Sequence, residues 1–354
     1  MFNKKYYESL ESSWEKMKNA GKPLYVYGMG DGCEKLLELC RKKQIKISGI
    51  FASDDFVRGQ SFCGHKVKKL SDVENENSNF MVVLAFGTSL DDVMKRIDLI
   101  SQRHELVAPE MSVADDSAFE KEWLLENFSI VEKVYNILAD EKSKKVFENL
   151  TAFKLTGNLE YLRVIFSDEE EAYSLLGLGE NEVYCDLGAY TGDTVKTFLK
   201  NVNGKYEKIY MLEPDKHNFQ KCLKNSLSLD NVELYNAAAW SDDSLLSFDA
   251  GAGRQAQLSE EGTKKVCARS LDSIVGNGKC TYIKYDVEGA DIPALKGSRR
   301  LITNLKPKLC CALYHRPYDY IHIPLYINEL NSGYKFFMRQ FKYYPAWETN
   351  LLCI

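Results

Sequence analysis

Acidic residues, glycines and one histidine recur directly after predicted strands in the second half of the chain. In chain order they are Asp186 with Gly188 and Gly192, then Glu213, then Asp286 with Glu288, and finally His315. The carboxyl ends of parallel strands meet at one edge of a sheet, so these side chains are expected to lie near each other. Carboxylates placed there can accept hydroxyl groups and neutralise positive charge, and a histidine can take up a proton.

The stretch "VYCDLGAYTGDTV", residues 183–195, has the pattern of a strand that enters a glycine turn and continues as a helix. Asp186, at the end of that strand, disfavours a phosphate and favours a ligand with a positive end. Glu213 ends the next predicted strand, 27 residues later, which is the reach of one strand-helix-strand unit. That spacing places Glu213 beside the glycine turn, where a carboxylate can accept both hydroxyls of a ribose.

The third and fourth strands complete this candidate ligand site. "YNAAAWS", which contains Ala238, supplies small residues and an aromatic suited to an adenine slot, and "IKYDVEGAD" delivers Asp286 and Glu288. S-adenosylmethionine fits such a site, because it has a ribose, an adenine and cationic groups but no phosphate. The predicted cofactor-binding residues are Asp186, Gly188, Tyr190, Thr191, Gly192, Glu213, Pro214, Ala238, Asp286 and Glu288.

These motifs resemble those of the FkbM family within the class I methyltransferases. The resemblance rests on "DLGAYTGDT", "EPD", "SLDSI", "IKYDVEGAD" with the following "ALKGS", and "LYHRPYD", and it covers about residues 180–354. It implies S-adenosylmethionine-dependent O-methyl transfer to a hydroxyl, often on a sugar, polysaccharide or natural-product scaffold. The acceptor would then be a small molecule or a glycan.

Two residues are predicted to be catalytic. A sugar hydroxyl becomes a better nucleophile as its proton leaves, so a base beside it would help. His315 ends the predicted strand "KLCCALYH" and is our first choice, because the unperturbed pKa of histidine lies near neutrality. Asp286 ends the neighbouring strand and either shares that role or orients the cofactor and acceptor.

Acceptor binding is predicted for a loop and for two residues near the catalytic pair. The loop "DAGAGRQAQLSEEG" between the third and fourth strands contains Arg254 and Gln255, and it suits an acceptor-facing lid or a plain surface hairpin. Glu288 and Tyr318 are the other predicted acceptor contacts. Asp286, Glu288 and His315 lack a metal-ligand spacing, so we predict no metal site.

A second glycine turn, "LYVYGMGDG" at 24–32, offers a rival cofactor site. Gly28 and Gly30 match the start of a dinucleotide-binding G-x-G-x-x-G, but Gly32 comes one residue early and Asp31 would repel a pyrophosphate. Asp54, after the next strand, is a weak candidate for the ribose acid. An NAD-linked oxidoreductase is therefore the alternative enzyme, and a scaffold in glycan synthesis is the non-enzymatic alternative.

The element pattern predicts an α/β protein with three parts. Residues 1–110 alternate strand and helix as a smaller Rossmann-like domain, 111–180 form a helical linker or cap, and 181–354 form a class I methyltransferase-like domain. The last domain is predicted to have a mainly parallel sheet that ends in an antiparallel hairpin, "YKFFMRQF" with "TNLLCI". An apolar stripe over 119–138 is expected to pack between domains or to form a homodimer seam.

Composition excludes several functional classes. The net charge of −5 does not indicate the basic surface of a nucleic-acid-binding protein. No apolar run approaches the ~18 residues that a membrane span needs. The ten cysteines form no CxxC pair and are expected to be reduced thiols. The start of the chain is charged and lacks the apolar core of a signal peptide, so a cytoplasmic location is expected.

Overall fold

The computed structural model describes residues 2–249, 257–258 and 264–354. The first part contains α1 Lys4–Ser9, α2 Ser13–Lys18, β1 Leu24–Tyr27, α3 Asp31–Lys42, β2 Gly49–Ala52, a 3₁₀ turn at Asp54–Phe56, β3 Ser61–Phe62, β4 His65–Lys69, α4 Leu70–Glu76, β5 Met81–Leu84, α5 Asp91–Arg103 and β6 Glu105–Val107. Its sheet has the order β3-β4-β2-β1-β5-β6. All pairs are parallel except β3 with β4.

The predicted strands of this part are present, and their continuous apolar sequences are explained by burial. Every residue of β1, β2 and β5 is buried, as expected for parallel strands covered by helices on both faces. The sequence did not indicate β3, β4 or β6, because β3 and β6 are short edge strands and β4 is largely polar.

The middle part is helical, as predicted, but it is broken into five helices. These are α6 Lys121–Glu126, α7 Phe128–Ile137, α8 Glu141–Thr156, α9 Glu160–Arg163 and α10 Glu169–Leu176. Leu124, Phe128, Val131 and Leu138 from the apolar stripe are buried in a core shared with both sheets. The stripe therefore packs within the chain, which corrects the alternative that it forms a dimer seam.

The last part contains the large sheet. Its elements are β7 Val183–Leu187, α11 Asp193–Asn201, β8 Lys208–Leu212, α12 Lys216–Ser226, β9 Val232–Tyr235, β10 Ala238–Ala239, β11 Ser244–Asp249, β12 Gln257–Leu258, β13 Lys264–Arg269, α13 Leu271–Val275, β14 Tyr282–Tyr285, α14 Asp291–Lys296, α15 Arg299–Leu305, β15 Lys308–Ala312, α16 Asp319–Leu330, β16 Phe336–Gln340 and β17 Thr349–Cys353. The large sheet has the order β16-β17-β15-β14-β7-β8-β9. It is parallel except at β17, which runs antiparallel to β15 and β16, so the predicted hairpin is confirmed.

A small second sheet, β10-β13-β11-β12, is inserted between β9 and β14. The predicted acceptor loop belongs to this insertion, and Arg254 and Gln255 lie outside the described residues.

The first sheet is attached to the large one through the loop that joins β16 and β17. Thr88 and Tyr344 exchange two backbone hydrogen bonds, with N···O distances of 2.7 and 2.9 Å. Gly87 lies so close to the ring of Trp347 that a Cβ would overlap it. No helix of the part of the chain that the structure describes is long and apolar enough to cross a membrane.

Candidate active site

The candidate site lies where the strand order of the large sheet reverses. From β7 the chain proceeds outward through β8 and β9, and it then returns to β14 on the other side of β7. Such a reversal opens a crevice at the carboxyl ends of the two central strands, and ligands of open α/β sheets bind there. Asp186 is the penultimate residue of β7, Glu213 and Asp286 directly follow β8 and β14, and His315 follows β15 by three residues.

The glycine turn after β7 is held by backbone geometry that only small residues adopt freely. Gly188 and Gly192 have φ values of +87° and +81°, and Tyr190 between them has +49°. A Cβ on Gly188 would overlap the carbonyl oxygen of Asp286, so this glycine allows the turns after β7 and β14 to touch.

Glu213 fastens the glycine turn to the end of β8. Its two carboxylate oxygens accept hydrogen bonds from the backbone N–H of Tyr190 and of Asp215, each at 2.8 Å. The side chain is only 5% exposed, and burial raises the pKa of its carboxyl to about 7, with the two N–H groups opposing that shift. Each oxygen retains a lone pair, so an ionised Glu213 can accept further hydrogen bonds from ligand hydroxyls.

Asp186 is completely buried under the same turn. Its Oδ2 accepts a hydrogen bond from the Thr194 hydroxyl at the start of α11, while its Oδ1 has no partner among the described residues. Burial raises the pKa of this carboxyl, and the nearby Lys284 opposes the rise. An unsatisfied buried oxygen is costly unless a donor or cation reaches it. The site thus has the orphan acceptor that a cationic cofactor group would satisfy.

Asp286 is the most connected side chain of the site. Its Oδ1 accepts a hydrogen bond from the Tyr314 hydroxyl at 3.0 Å, and its Oδ2 accepts one from Lys284 Nζ at 2.8 Å. Burial alone would raise the pKa of this carboxyl, but Lys284 and His315 lower it well below its ordinary value. With 30% of the side chain exposed, Asp286 is an ionised and reachable carboxylate.

His315 is instead fully buried between carboxylates. Its Nδ1 lies 2.9 Å from Asp291 Oδ2 and its Nε2 lies 3.2 Å from Asp286 Oδ1. Burial alone would lower the pKa of the ring, but Asp291 and Asp286 raise it well above its ordinary value. Nε2 nevertheless has no hydrogen-bond partner among the described residues, although His315 is 0% exposed. The expectation that His315 is the catalytic base stays a prediction.

The other predicted residues have different surroundings. Glu288 is exposed, in a turn with φ +52°. Ala238 is buried in the small sheet, and the carbonyl oxygen of Pro214 accepts a hydrogen bond from Asn236. Tyr318 packs its ring 3.9 Å from that of Trp123 in the helical part. Its described contacts are those of a packing residue, and acceptor binding by Tyr318 stays a prediction.

Sequence reasoning missed several residues that complete the site. Lys284 lies on β14 two residues before Asp286, and Tyr314, which follows β15, reaches Asp286 because β14 and β15 are neighbours in the sheet. Glu348 comes from the loop before β17, and burial together with Asp286 raises the pKa of its carboxyl to about 7. Buried lysines in strands and acids in hairpin loops have no sequence spacing that marks them as functional.

The rival glycine turn after β1 encloses little space. A Cβ on Gly32 would overlap the carbonyl of Ala85, and the cavity there is closed on one side by Pro345 and Trp347. The volume of this cavity is about 20 Å³, which is room for about one water molecule. A cofactor pocket is typically several hundred Å³, so a dinucleotide does not fit this cavity as it stands.

Known proteins resemble the chain in sequence and in fold. Residues 186–336 match the family model described as methyltransferase FkbM domain. The crystal structure of methyltransferase FkbM from Methylobacillus flagellatus KT superposes with a TM-score of 0.75 at 19% identity, covering 94% of this chain and 90% of that one. At this identity the likeness shows a shared fold, and it includes the first sheet and the helical part.

Two further solved structures match about half of the chain. An rRNA methylase from Streptococcus thermophilus has 13% identity and a TM-score of 0.37, covering 53% of this chain and 96% of that one. Fibrillarin from Aeropyrum pernix, in complex with S-adenosyl-L-methionine, has 12% identity and a TM-score of 0.34, covering 52% and 74%. Scores this low support no argument. A search of curated proteins found no match.

Proposed function

We propose that this chain, which carries a methyltransferase FkbM domain over residues 186–336, uses S-adenosylmethionine to methylate a hydroxyl of a sugar or similar polyhydroxylated acceptor. The domain makes the chain a methyltransferase, and the cofactor, acceptor and residue roles are the proposal. The observation that carries it is the meeting of the turns after β7 and β14 at the reversal point of the sheet. Glu213, Asp186 and Asp286 surround that meeting point.

The charge of the site supports the cofactor. Its described acids outnumber its cations, since Asp186, Glu213, Glu288 and Asp286 are accompanied only by Lys284 and the buried ring of His315. Carboxylates stabilise a sulfonium and an ammonium group and disfavour phosphates. Glu213 would accept the ribose hydroxyls, and the unpartnered oxygen of Asp186 would receive the cationic amino acid end.

The surroundings of Asp286 support a hydroxyl acceptor. Its carboxylate, with Glu288 and Glu348 nearby, provides hydrogen-bond acceptors for several hydroxyl groups. The adjacent Tyr314 adds an aromatic ring next to these acids. Acids beside an aromatic ring suit a neutral polyhydroxylated molecule, and they oppose a polyanion such as nucleic acid.

The residues would act mainly by positioning. When bound, S-adenosylmethionine supplies an electrophilic methyl group for in-line displacement. Asp286 would accept the hydrogen bond of the acceptor hydroxyl and turn its oxygen toward that methyl group. Lys284, Tyr314 and His315 hold the carboxylate in one orientation, which reduces the entropy lost on reaching the reactive geometry.

Ligand binding and turnover test the proposal separately. Isothermal titration with S-adenosylmethionine and with NAD should give binding of the first and not of the second. Methyl transfer is then measured with a panel of sugars, nucleotide sugars and phenols as acceptors. Asp286→Asn should lower kcat by about 10²-fold or more, because the charged acceptor of the hydroxyl proton is lost.

A matched variant distinguishes a site defect from a general one. Asp230→Asn changes an acid in the turn before β9 whose side chain has no ionic partner among the described residues, and it should behave as wild type. Binding of NAD with no binding of S-adenosylmethionine would refute the cofactor. Full activity of Asp286→Asn on a hydroxyl acceptor would refute the role of Asp286.

A further inference from the structure

Three buried side chains converge beneath Asp286 from three separate elements. Asp291 is the first residue of α14, Asp319 is the first residue of α16, and His315 follows β15 by three residues. One nitrogen or carboxylate oxygen from each lies within 4.8 Å of the other two. All three are buried, so the cluster is shielded from water.

The cluster contains an acceptor that the protein leaves unsatisfied. Asp291 is 1% exposed, and its Oδ1 has no hydrogen-bond partner among the described residues. The cation next in sequence, Arg316, points its guanidinium at Asp115 and at the carbonyl oxygen of Gly289. Two buried carboxylates therefore share one imidazole, and an unpaired carboxylate in such a place is costly.

The donor atoms have the arrangement of a metal site. Bonds of about 2.0–2.2 Å to one ion separate its ligand atoms by roughly 3–4.4 Å, so the observed spacing needs only a small contraction. The other nitrogen of His315 lies 3.2 Å from Asp286 Oδ1. Nε2 forms no hydrogen bond among the described residues, and a metal-bound histidine usually donates its second N–H to a carboxylate placed this close, which fixes the orientation of the ring.

We infer that Asp291, His315 and Asp319 bind one divalent transition-metal ion, such as Zn²⁺ or Mn²⁺. The imidazole ligand favours these ions over Mg²⁺, which prefers oxygen ligands and bound water. The ion would tie the amino ends of α14 and α16 to the residue after β15. It would thereby fix the ring that contacts Asp286 without touching the methyl group or the acceptor.

The inference concerns metal binding alone and does not depend on the proposed reaction. It is tested on the full chain, freed of metal with a chelator and titrated with Mn²⁺ or Zn²⁺ in the absence of S-adenosylmethionine. We expect one ion per chain, with Asp319→Asn weakening the affinity about tenfold or more. Asp230→Asn, which changes an exposed acid outside the cluster, should bind the ion as wild type does.

A spectroscopic measurement keeps the test valid if Asp319→Asn fails to fold. Pulsed electron paramagnetic resonance of the Mn²⁺-loaded wild type should show coupling to a directly bound imidazole nitrogen. That coupling, together with stoichiometric binding, supports the site. Absence of stoichiometric binding, a bound ion without nitrogen coupling, or equal affinity in a folded Asp319→Asn would each overturn it.

Discussion

The protonation of Glu213 predicts a specific pH dependence of cofactor binding. Burial raises the pKa of this carboxyl to about 7, against about 4.3 for an exposed glutamate. Only the ionised form can accept hydrogen bonds from both ribose hydroxyls at full strength. Protonation therefore competes with the ligand, and the affinity for S-adenosylmethionine should fall as the pH drops through 7.

The size of the effect follows from that pKa. If only ionised Glu213 binds, the apparent Kd rises by a factor of one plus the ratio of protonated to ionised carboxyl. For a pKa of about 7 this factor is about 11 at pH 6 and about 1.1 at pH 8, a tenfold difference in Kd. In Glu213→Gln the charge is absent at every pH, so this dependence should vanish and binding should be weaker at pH 8.

The assay is isothermal titration of both proteins with S-adenosylmethionine at several pH values between 6 and 8. The amino group of the ligand also titrates near this range, but it does so for both proteins and cancels in the ratio of their Kd values. Circular dichroism checks that Glu213→Gln is folded, because Gln cannot accept from both the Tyr190 and Asp215 N–H groups. A ratio that stays constant with pH would refute the assignment of Glu213 to the ribose.

Three predictions concern stability, each measured by urea unfolding. Gly188→Ala should lower the free energy of unfolding by about 2–5 kcal/mol, because a φ of +87° is strained for alanine and the new Cβ overlaps a backbone carbonyl. Gly30→Ala, which has open space around it, should lower it by about 1 kcal/mol or less. Gly87→Ala should lower the free energy of unfolding by about 1–3 kcal/mol, because the new Cβ would push the first sheet away from Trp347 in the loop between β16 and β17. Gly179→Ala, whose Cβ would meet nothing within 4 Å, should not lower it in this way. Lys154→Met should lose about 3–5 kcal/mol, since it leaves a buried carboxylate without its partner; near-wild-type stability of any of the three would contradict its contact.

Much of the fold could be predicted because its signals are local. The central strands of both sheets are largely apolar runs, because burial on both faces of a parallel sheet requires them. The strands β3, β4 and β6 could not be predicted, because the edge strands β3 and β6 are short and β4 buries only Val67. The break between α6 and α7 was also hidden, since the apolar stripe continues through it.

The candidate site could also be predicted only in part. Its glycines and strand-end acids were visible because strand, turn and helix follow each other in the sequence, and their order fixes which sheet edge they reach. The enclosure of His315 was not visible. Its carboxylate neighbours are Asp291 on α14, 24 residues away, and Asp286 directly after β14, 29 residues away, and only the packing of these elements encloses the ring.

The sequence by itself determined that an α/β unit with a class I methyltransferase pattern places Asp186, Glu213 and Asp286 at one edge of a sheet. Alternation of strands and helices dictates that outcome, because parallel strands with helical crossovers align their carboxyl ends. Only the tertiary structure decided which of these side chains are exposed, charged or enclosed. Burial and ionisation depend on groups distant in the chain, and Tyr314, His315 and Glu348 reach Asp286 only when the sheet and its helices pack together.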